Sequence, residues 1–325
     1  MGLIENPKTY TGRDLETIFF RPMLTGDNAE QIGIRVLYNM PVPTTIQMWS
    51  PAGDILKPYS SGWTGGDSAT RKQKTITMQK IKAETGYSAS DYFSQVYELI
   101  TGRPDVNMDD LSGTELEKAE TEMFRAAIAE SLRATMWVGD MADTASPLNK
   151  FDGFMALIRN YNAFMDFPVV DFTERQLTSE TVIDLLDEMW RTAPPILKSM
   201  KGEGNLAYFV TTDVIDCYER YLDRMGADGA YNDLTSGRRT LSYHGIPLVD
   251  INVSQYLPKT QFHTSFCLLT DRRNLTLAVN TSDYPGTEVR MWYNPDLMEN
   301  RQRATFMAGC EILDERMISI SQIRS

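Results

Sequence analysis

Leu206-Ala207-Tyr208-Phe209-Val210-Thr211-Thr212-Asp213 opens, and Leu269-Thr270-Asp271-Arg272-Arg273-Asn274-Leu275 closes, the stretch whose order of elements decides the fold. Leu206–Val210 is a continuous apolar run of strand length, the pattern of a strand buried on both faces. Thr211 or Thr212 can cap the helix that follows, which places Val214, Ile215, Cys217, Tyr218, Tyr221, Leu222 and Met225 on one stripe and stops at Gly226. Tyr243-His244-Gly245-Ile246-Pro247-Leu248-Val249 then reads as a turn into a strand at 246–251. Further apolar strands are predicted at 266–269 and 275–279. Strand, helix, loop and strand in that order predict a central sheet flanked by helices. A helix starting at Thr178-Ser179-Glu180, striped with Val182, Ile183, Leu185, Leu186, Met189 and Trp190, leads into this module and must end or bend at Ala193-Pro194-Pro195.

Working back toward the N-terminus, a second long helix is predicted from Thr114 to about residue 138. Thr114 and Glu117 form a capping-box pattern, and Leu116, Met123, Phe124, Ala127, Ile128, Leu132, Thr135 and Met136 share one face. A shorter helix is expected over Tyr87–Ile100. Residues 33–87 alternate apolar and polar positions around the Gly-rich, polar segments 50–54 and 60–67, which predicts an extended two-stranded excursion. Such a ribbon is marginal alone, so the excursion is expected either to be flexible or to be completed by a neighbouring subunit. Arg71, Lys72, Lys74, Lys80 and Lys82 make it the most basic part of the chain, either a solvated face or a contact for an acidic partner surface. Residues 1–32 bury little beyond a knot that includes Phe19 and Phe20, which reads either as a frayed terminus or as an arm laid across something else. Toward the C-terminus, 288–293 and 303–312 read as a separate pair of long strands, and 317–323 as a short strand.

The 325 residues carry a formal net charge of −12 with 42% apolar content. That supports a sizeable core and argues against a general nucleic-acid coat held by basic patches. Cys217, Cys267 and Cys310 lie apart in apolar patterns with no metal-ligand spacing, which reads as reduced, buried thiols. No secretory signal pattern opens the chain and no run approaches the ~20 apolar residues of a membrane span.

A search for catalysis finds little material. No Gly-rich phosphate loop or Gly-x-Ser-x-Gly elbow is present, and only His244 and His263 are available as imidazoles. Both sit in turn or loop sequence. Carboxylates at Asp109-Asp110, Glu115/Glu117/Glu120 and Asp184/Asp187/Glu188 fall on solvent faces or caps, although paired acids of a hydrolase are defined only in space. Asp271 reads as a turn former. No cofactor or metal is called for.

The sequence Leu206-Ala207-Tyr208-Phe209-Val210-Thr211, the helix ending in Tyr221-Leu222, Tyr231-Asn232-Asp233, Tyr243-His244-Gly245-Ile246-Pro247-Leu248-Val249 and Leu269–Leu275 together resemble major capsid proteins of tailed phages with the Hong Kong 97-type fold. The resemblance covers nearly the whole chain through soft patterns of turns and strands. It implies an α+β fold with an N-terminal arm at 1–32 and an extended E-loop hairpin at 33–86. The P-domain would comprise 87–170 and 286–325, with its spine helix at about 114–138, and the A-domain 171–285. It further implies self-assembly as hexamers and pentamers into an icosahedral virion shell around double-stranded DNA, bound without sequence specificity and assembled in the host bacterial cytoplasm. A separate scaffold, a portal and decoration proteins are the other implied partners, and no membrane is. A scaffold segment precedes the arm in some members; here the arm is reached at once, so a separate scaffold or a removed segment is expected. Some members cross-link an E-loop lysine; Lys57, Lys72 and Lys74 are available, but no motif selects one. Phe19, Phe20, Trp49, Trp63, Arg71, Lys72, Lys74, Tyr231 and Tyr243 are the candidate inter-subunit contacts. The alternatives are an encapsulin-like compartment shell, which shares the fold, and a carboxylate-based hydrolase.

Overall fold

The computed structural model describes residues 8–10, 32–39, 44–50, 59–62, 70–88, 115–162, 168–225, 241–259, 265–280, 288–294, 296–297 and 299–323. In chain order its strands and helices are β1 (Lys8–Tyr10), β2 (Arg35–Tyr38), β3 (Thr44–Ser50), β4 (Thr70–Ile76), β5 (Gln79–Ser88), α1 (Glu115–Val138), α2 (Phe154–Asn162), β6 (Val169–Phe172), α3 (Thr181–Thr192), α4 (Pro195–Ser199), β7 (Leu206–Val210), α5 (Thr212–Arg224), β8 (Ser242–Tyr243), β9 (Ile246–Asp250), β10 (Ser265–Asp271), β11 (Leu275–Asn280), β12 (Glu288–Asn294), β13 (Glu299–Ile312) and β14 (Ile318–Ile323).

The opening module behaves as its apolar runs require. β7 and β10 are buried at every position, and they pair antiparallel at the centre of a sheet ordered β6-β14-β10-β7-β9-β8. Alternation along β7 sends Tyr208 and Val210 to a face covered by α3 and α5, where Val182, Leu185, Leu186, Met189, Val214 and Tyr218 meet them. It sends Ala207 and Phe209 to the other face, against α1 and α2. Burial on both faces explains why these strands show no polar alternation.

The second sheet is organised by β13. One edge of β13 pairs first with β12 and then with β11, while the other edge pairs with β5 over Glu299–Ala308. β1 extends the β12 side and β2 joins β11 in parallel. Helix α1, 24 residues and so about 36 Å long, spans the two sheets. Phe124 and Ile128 belong to the core over the β13 sheet, and Trp137 reaches the β7–β10 sheet. The Trp137 ring packs 5.2 Å from Phe154, 5.4 Å from Phe209 and 6.4 Å from Phe266. The close turn after α1 depends on Gly139 and Gly153, whose added Cβ atoms would each stand 2.5 Å from the Thr135 carbonyl oxygen.

Several expectations need correction. The strands at 288–294 and 299–312 are not a separate pair but the middle of a six-stranded sheet. Tyr87 and Ser88 lie in β5 and not in a helix; the rest of the expected helix, 89–100, lies outside the described residues, as does Thr114. β5 and β11 belong with β13, and β14 belongs with β10. A strand pairs with whatever register its edge offers, and sequence order alone does not reveal that partner.

Trp137 is 0% exposed, so Trp137→Ala should lower unfolding stability by about 3–5 kcal/mol through the lost ring and the remaining cavity. Equilibrium denaturation of the purified chain reads this; a loss below about 1 kcal/mol would remove Trp137 as the joint between the two sheets.

Candidate self-contact surfaces

Within the excursion predicted over 33–87, β3 and β4 form a ribbon, paired antiparallel from Thr44↔Ile76 to Ser50↔Thr70, whereas β2 and β5 lie in the β13 sheet. One side carries exposed Thr45, Gln47, Gln73 and Thr75. The other carries Ile46 and Ile76, which pack with Met78, Leu37, Ala278 and Met307 in a small apolar cluster. Gly309 makes that approach possible, because a Cβ there would stand 2.3 Å from the Thr77 carbonyl oxygen.

The same side of the ribbon carries Lys72 and Lys74. Lys74 Nζ ion-pairs with Glu315, lies 3.6 Å from Glu311 and sits 4.2 Å from the centre of the Tyr161 ring. The Tyr161 hydroxyl donates to Glu311. Burial raises the Glu311 carboxyl above its ordinary range, opposed by the Tyr161 hydrogen bond and the Lys74 charge. Burial and the bond to Glu311 push the Tyr161 phenol well up. Lys72 reaches Asp314 at 3.9 Å. Asp314 loses some solvation by burial, yet its hydrogen bonds from Arg316 and the charges of Lys72 and Arg316 hold its pKa below the ordinary value. Lys72 and Lys74 therefore meet carboxylates of their own chain.

Where the ribbon touches down, the two sheets are joined twice. β10 passes into β11 through the turn Arg272–Asn274, and β13 passes into β14 through Glu315–Met317. Each turn is capped by an aspartate that accepts from the backbone N–H two residues on, Asp271 from Arg273 at 2.8 Å and Asp314 from Arg316 at 3.1 Å. Each aspartate also accepts from that arginine's guanidinium, at 2.6 Å and 2.7 Å. Asn274 binds the two connections together. Its Nδ2 donates to the Thr270 hydroxyl at 3.2 Å and to the Asp314 carbonyl at 2.9 Å, and its Oδ1 accepts from the Asp314 N–H at 2.7 Å. Asp271 was expected as a turn former and is one. The second Asp-x-Arg, Asp314-Glu315-Arg316, escaped notice, although two such triplets between apolar strands were a readable signal.

The other candidates are scattered. Trp49 and Arg71 stand opposite each other in the ribbon's register. Tyr243 is half-buried, stacked on His244 at 4.3 Å and edge-on to Tyr208 at 6.4 Å. His244 has φ 52° and Gly245 φ 79°, so the expected turn is a tight left-handed one between β8 and β9. Phe19, Phe20, Trp63 and Tyr231 lie outside the described residues. Beside β5 and α1 runs a groove of about 620 Å³ lined by Ile81, Ala83, Phe124, Ile128, Leu132 and Phe306 among others. The cysteines are free thiols, with Cys267 and Cys310 buried and Cys217 half-buried.

No family model matches this sequence, and no curated protein does. Solved structures do match in fold. A chain of the procapsid of satellite phage P4, a particle that includes the size determination protein Sid, superposes with a TM-score of 0.58 at 11% identity, covering 94% of this chain and 98% of that one. A chain of Gordonia phage Cozz gives 0.54 at 10% identity, with 91% and 86% covered. The capsid of cyanophage P-SCSP1u gives 0.50 at 9% identity, with 92% and 89% covered. The fold is therefore a phage capsid fold.

Asn274→Ala should cost about 2–4 kcal/mol, because it removes three buried hydrogen bonds and leaves the Asp314 N–H without its acceptor. Urea unfolding measures it; a variant within about 0.5 kcal/mol of the parent would show that the two connections hold without this amide.

Proposed function

We propose that this chain is the major capsid protein of a tailed phage, closing as hexamers and pentamers into an icosahedral head around double-stranded DNA. The observation that carries the reading is the fold match over nearly the full length of both chains, 94% and 98%, with the P4 procapsid chain. In the Hong Kong 97-type scheme, residues 1–32 act as the arm, the β3–β4 ribbon as the E-loop and α1 as the spine helix. The β13 sheet is the P-domain and the β7–β10 sheet the A-domain, whose turns face the capsomer axes.

The physics of the ribbon supports the scheme. Two strands alone are marginal in water, and Tyr59 beyond the ribbon is 96% exposed. A neighbouring copy supplies the surface that this chain lacks. The net charge of −12 suits a wall that meets DNA without gripping its sequence. A scaffold, portal and decoration proteins act with it, and the shell assembles in the host cytoplasm.

Electron microscopy of the expressed chain, with its scaffold if one is required, should show closed shells; a persistent small monomer under those conditions would sink the proposal. Nucleic acid inside native particles is expected, whereas an enclosed enzyme would point instead to a cellular compartment. Deleting residues 50–72 should leave α3, α5 and the β7–β10 sheet folded by circular dichroism while abolishing closure, and normal shells from that deletion would refute the role given to the ribbon. Phe19→Ser with Phe20→Ser should lower the shell melting temperature, and an unchanged value would count against an anchoring arm.

A further inference from the structure

The β3–β4 ribbon is attached to the body in two chemically different ways. Ile46, Ile76 and Met78 rest on Ala278 and Met307. Apolar contact of this kind is non-directional: it keeps the ribbon close but leaves its rotation about the contact weakly determined. One step further along the ribbon, Lys74 is only 17% exposed and is directed at three fixed groups. Glu311 is carried on β13, Tyr161 on α2 and Glu315 on the turn between the sheets. These groups belong to three separate elements of the body, so satisfying them together fixes a direction as well as a distance.

We propose that Lys74 is the positioning residue that sets the angle at which the β3–β4 ribbon leaves the body, so that a single subunit already holds the ribbon aimed before it meets a neighbour. Without the ammonium group, Glu311 would remain largely buried beside Glu315, with the Tyr161 hydroxyl and the Ile312 N–H as its hydrogen-bond donors. The two carboxylates would then repel across the seat that Lys74 now fills. Lys72 and Arg316 do not replace it, because both are directed at Asp314. Arg35 on the neighbouring strand β2 is two ladder positions away, opposite Thr276, which in turn faces Glu311. The proposal concerns one chain and stands or falls independently of shell formation; only its consequence for closure rests on the capsid reading.

The test uses the unassembled full chain with Cys217→Ser and spin labels at Gln47→Cys, an exposed position within the paired ribbon, and at Leu297→Cys, 58% exposed. Cys267 and Cys310 are buried, with thiols whose pKa burial raises, so they resist labelling. The parent should give a narrow distance distribution between the labels. Lys74→Met, which keeps the aliphatic stem and removes the charge, should broaden it at least twofold, and Lys74→Arg should restore most of the narrowness. Lys74→Glu should broaden it as well, while adding Glu315→Lys should narrow it again by moving the cation to the other side of the same contact. An unchanged width in Lys74→Met overturns the proposal. So does a charge-swapped double variant as broad as Lys74→Glu alone, which keeps the test decisive should Lys74→Met fold poorly. Shell yield from Lys74→Met is scored separately, so that loss of closure with an unchanged distribution counts against the latch and not against the capsid reading.

Discussion

Two sheets joined by a single connection could rotate about it; two sheets joined twice, side by side, cannot do so without breaking something between the joints. In this chain the breakable element is the Asn274 carboxamide, which bonds both the N–H and the carbonyl of Asp314. Each connection is stiffened separately by its own Asp-x-Arg cap. The amide then couples the two, with further support from the Thr270 hydroxyl donating to the Met317 carbonyl at 2.6 Å. Asn274 is 2% exposed, and a buried amide in a low-dielectric setting is worth most when every arm is used. The relative placement of the sheets, and of α1 spanning them, follows from this join.

The ribbon is seated at the same place. Its lysines reach Glu311, Asp314 and Glu315, which occupy the end of β13 and the turn into β14. A two-stranded ribbon gains from being fixed at its root, because a small rotation there becomes a larger displacement further along its strands. Placing the root beside the two capped connections between the sheets serves that need. The apolar cluster and the Gly309 contact bring the ribbon in, and the ion pairs define its direction.

Much of this was legible in the residues. The buried runs Leu206–Val210 and Phe266–Leu269, the striped helices now called α3 and α5, and the long helix α1 were all predicted, the strands as continuous apolar runs covered on both faces and the helices from the stripe each turns to the surface it covers. Pro194-Pro195 ended α3 as expected, and Pro195 starts α4. What could not be read was pairing. β5 and β13 are over two hundred residues apart in the chain and share a ladder from Gln79↔Ala308 to Ser88↔Glu299, and nothing in either sequence names the other. The lysines were readable as an unusual basic cluster but not as intramolecular, since Glu311 and Glu315 lie far along the chain. For the same reason the candidate contacts followed the resemblance more than any local signal.

The balance between the two attachments of the ribbon also bears on how assembly and folding are related. A two-stranded ribbon held only by its own ladder opens readily, and an extended strand edge exposed in that state invites pairing with the wrong partner. Had the ribbon been left free until a neighbour captured it, that neighbour's surface would have to offset the full cost of ordering it. Lys74 and the Ile46–Ile76 contact instead hold the root of the ribbon within the subunit, so part of the ordering entropy is offset by contacts made once on folding.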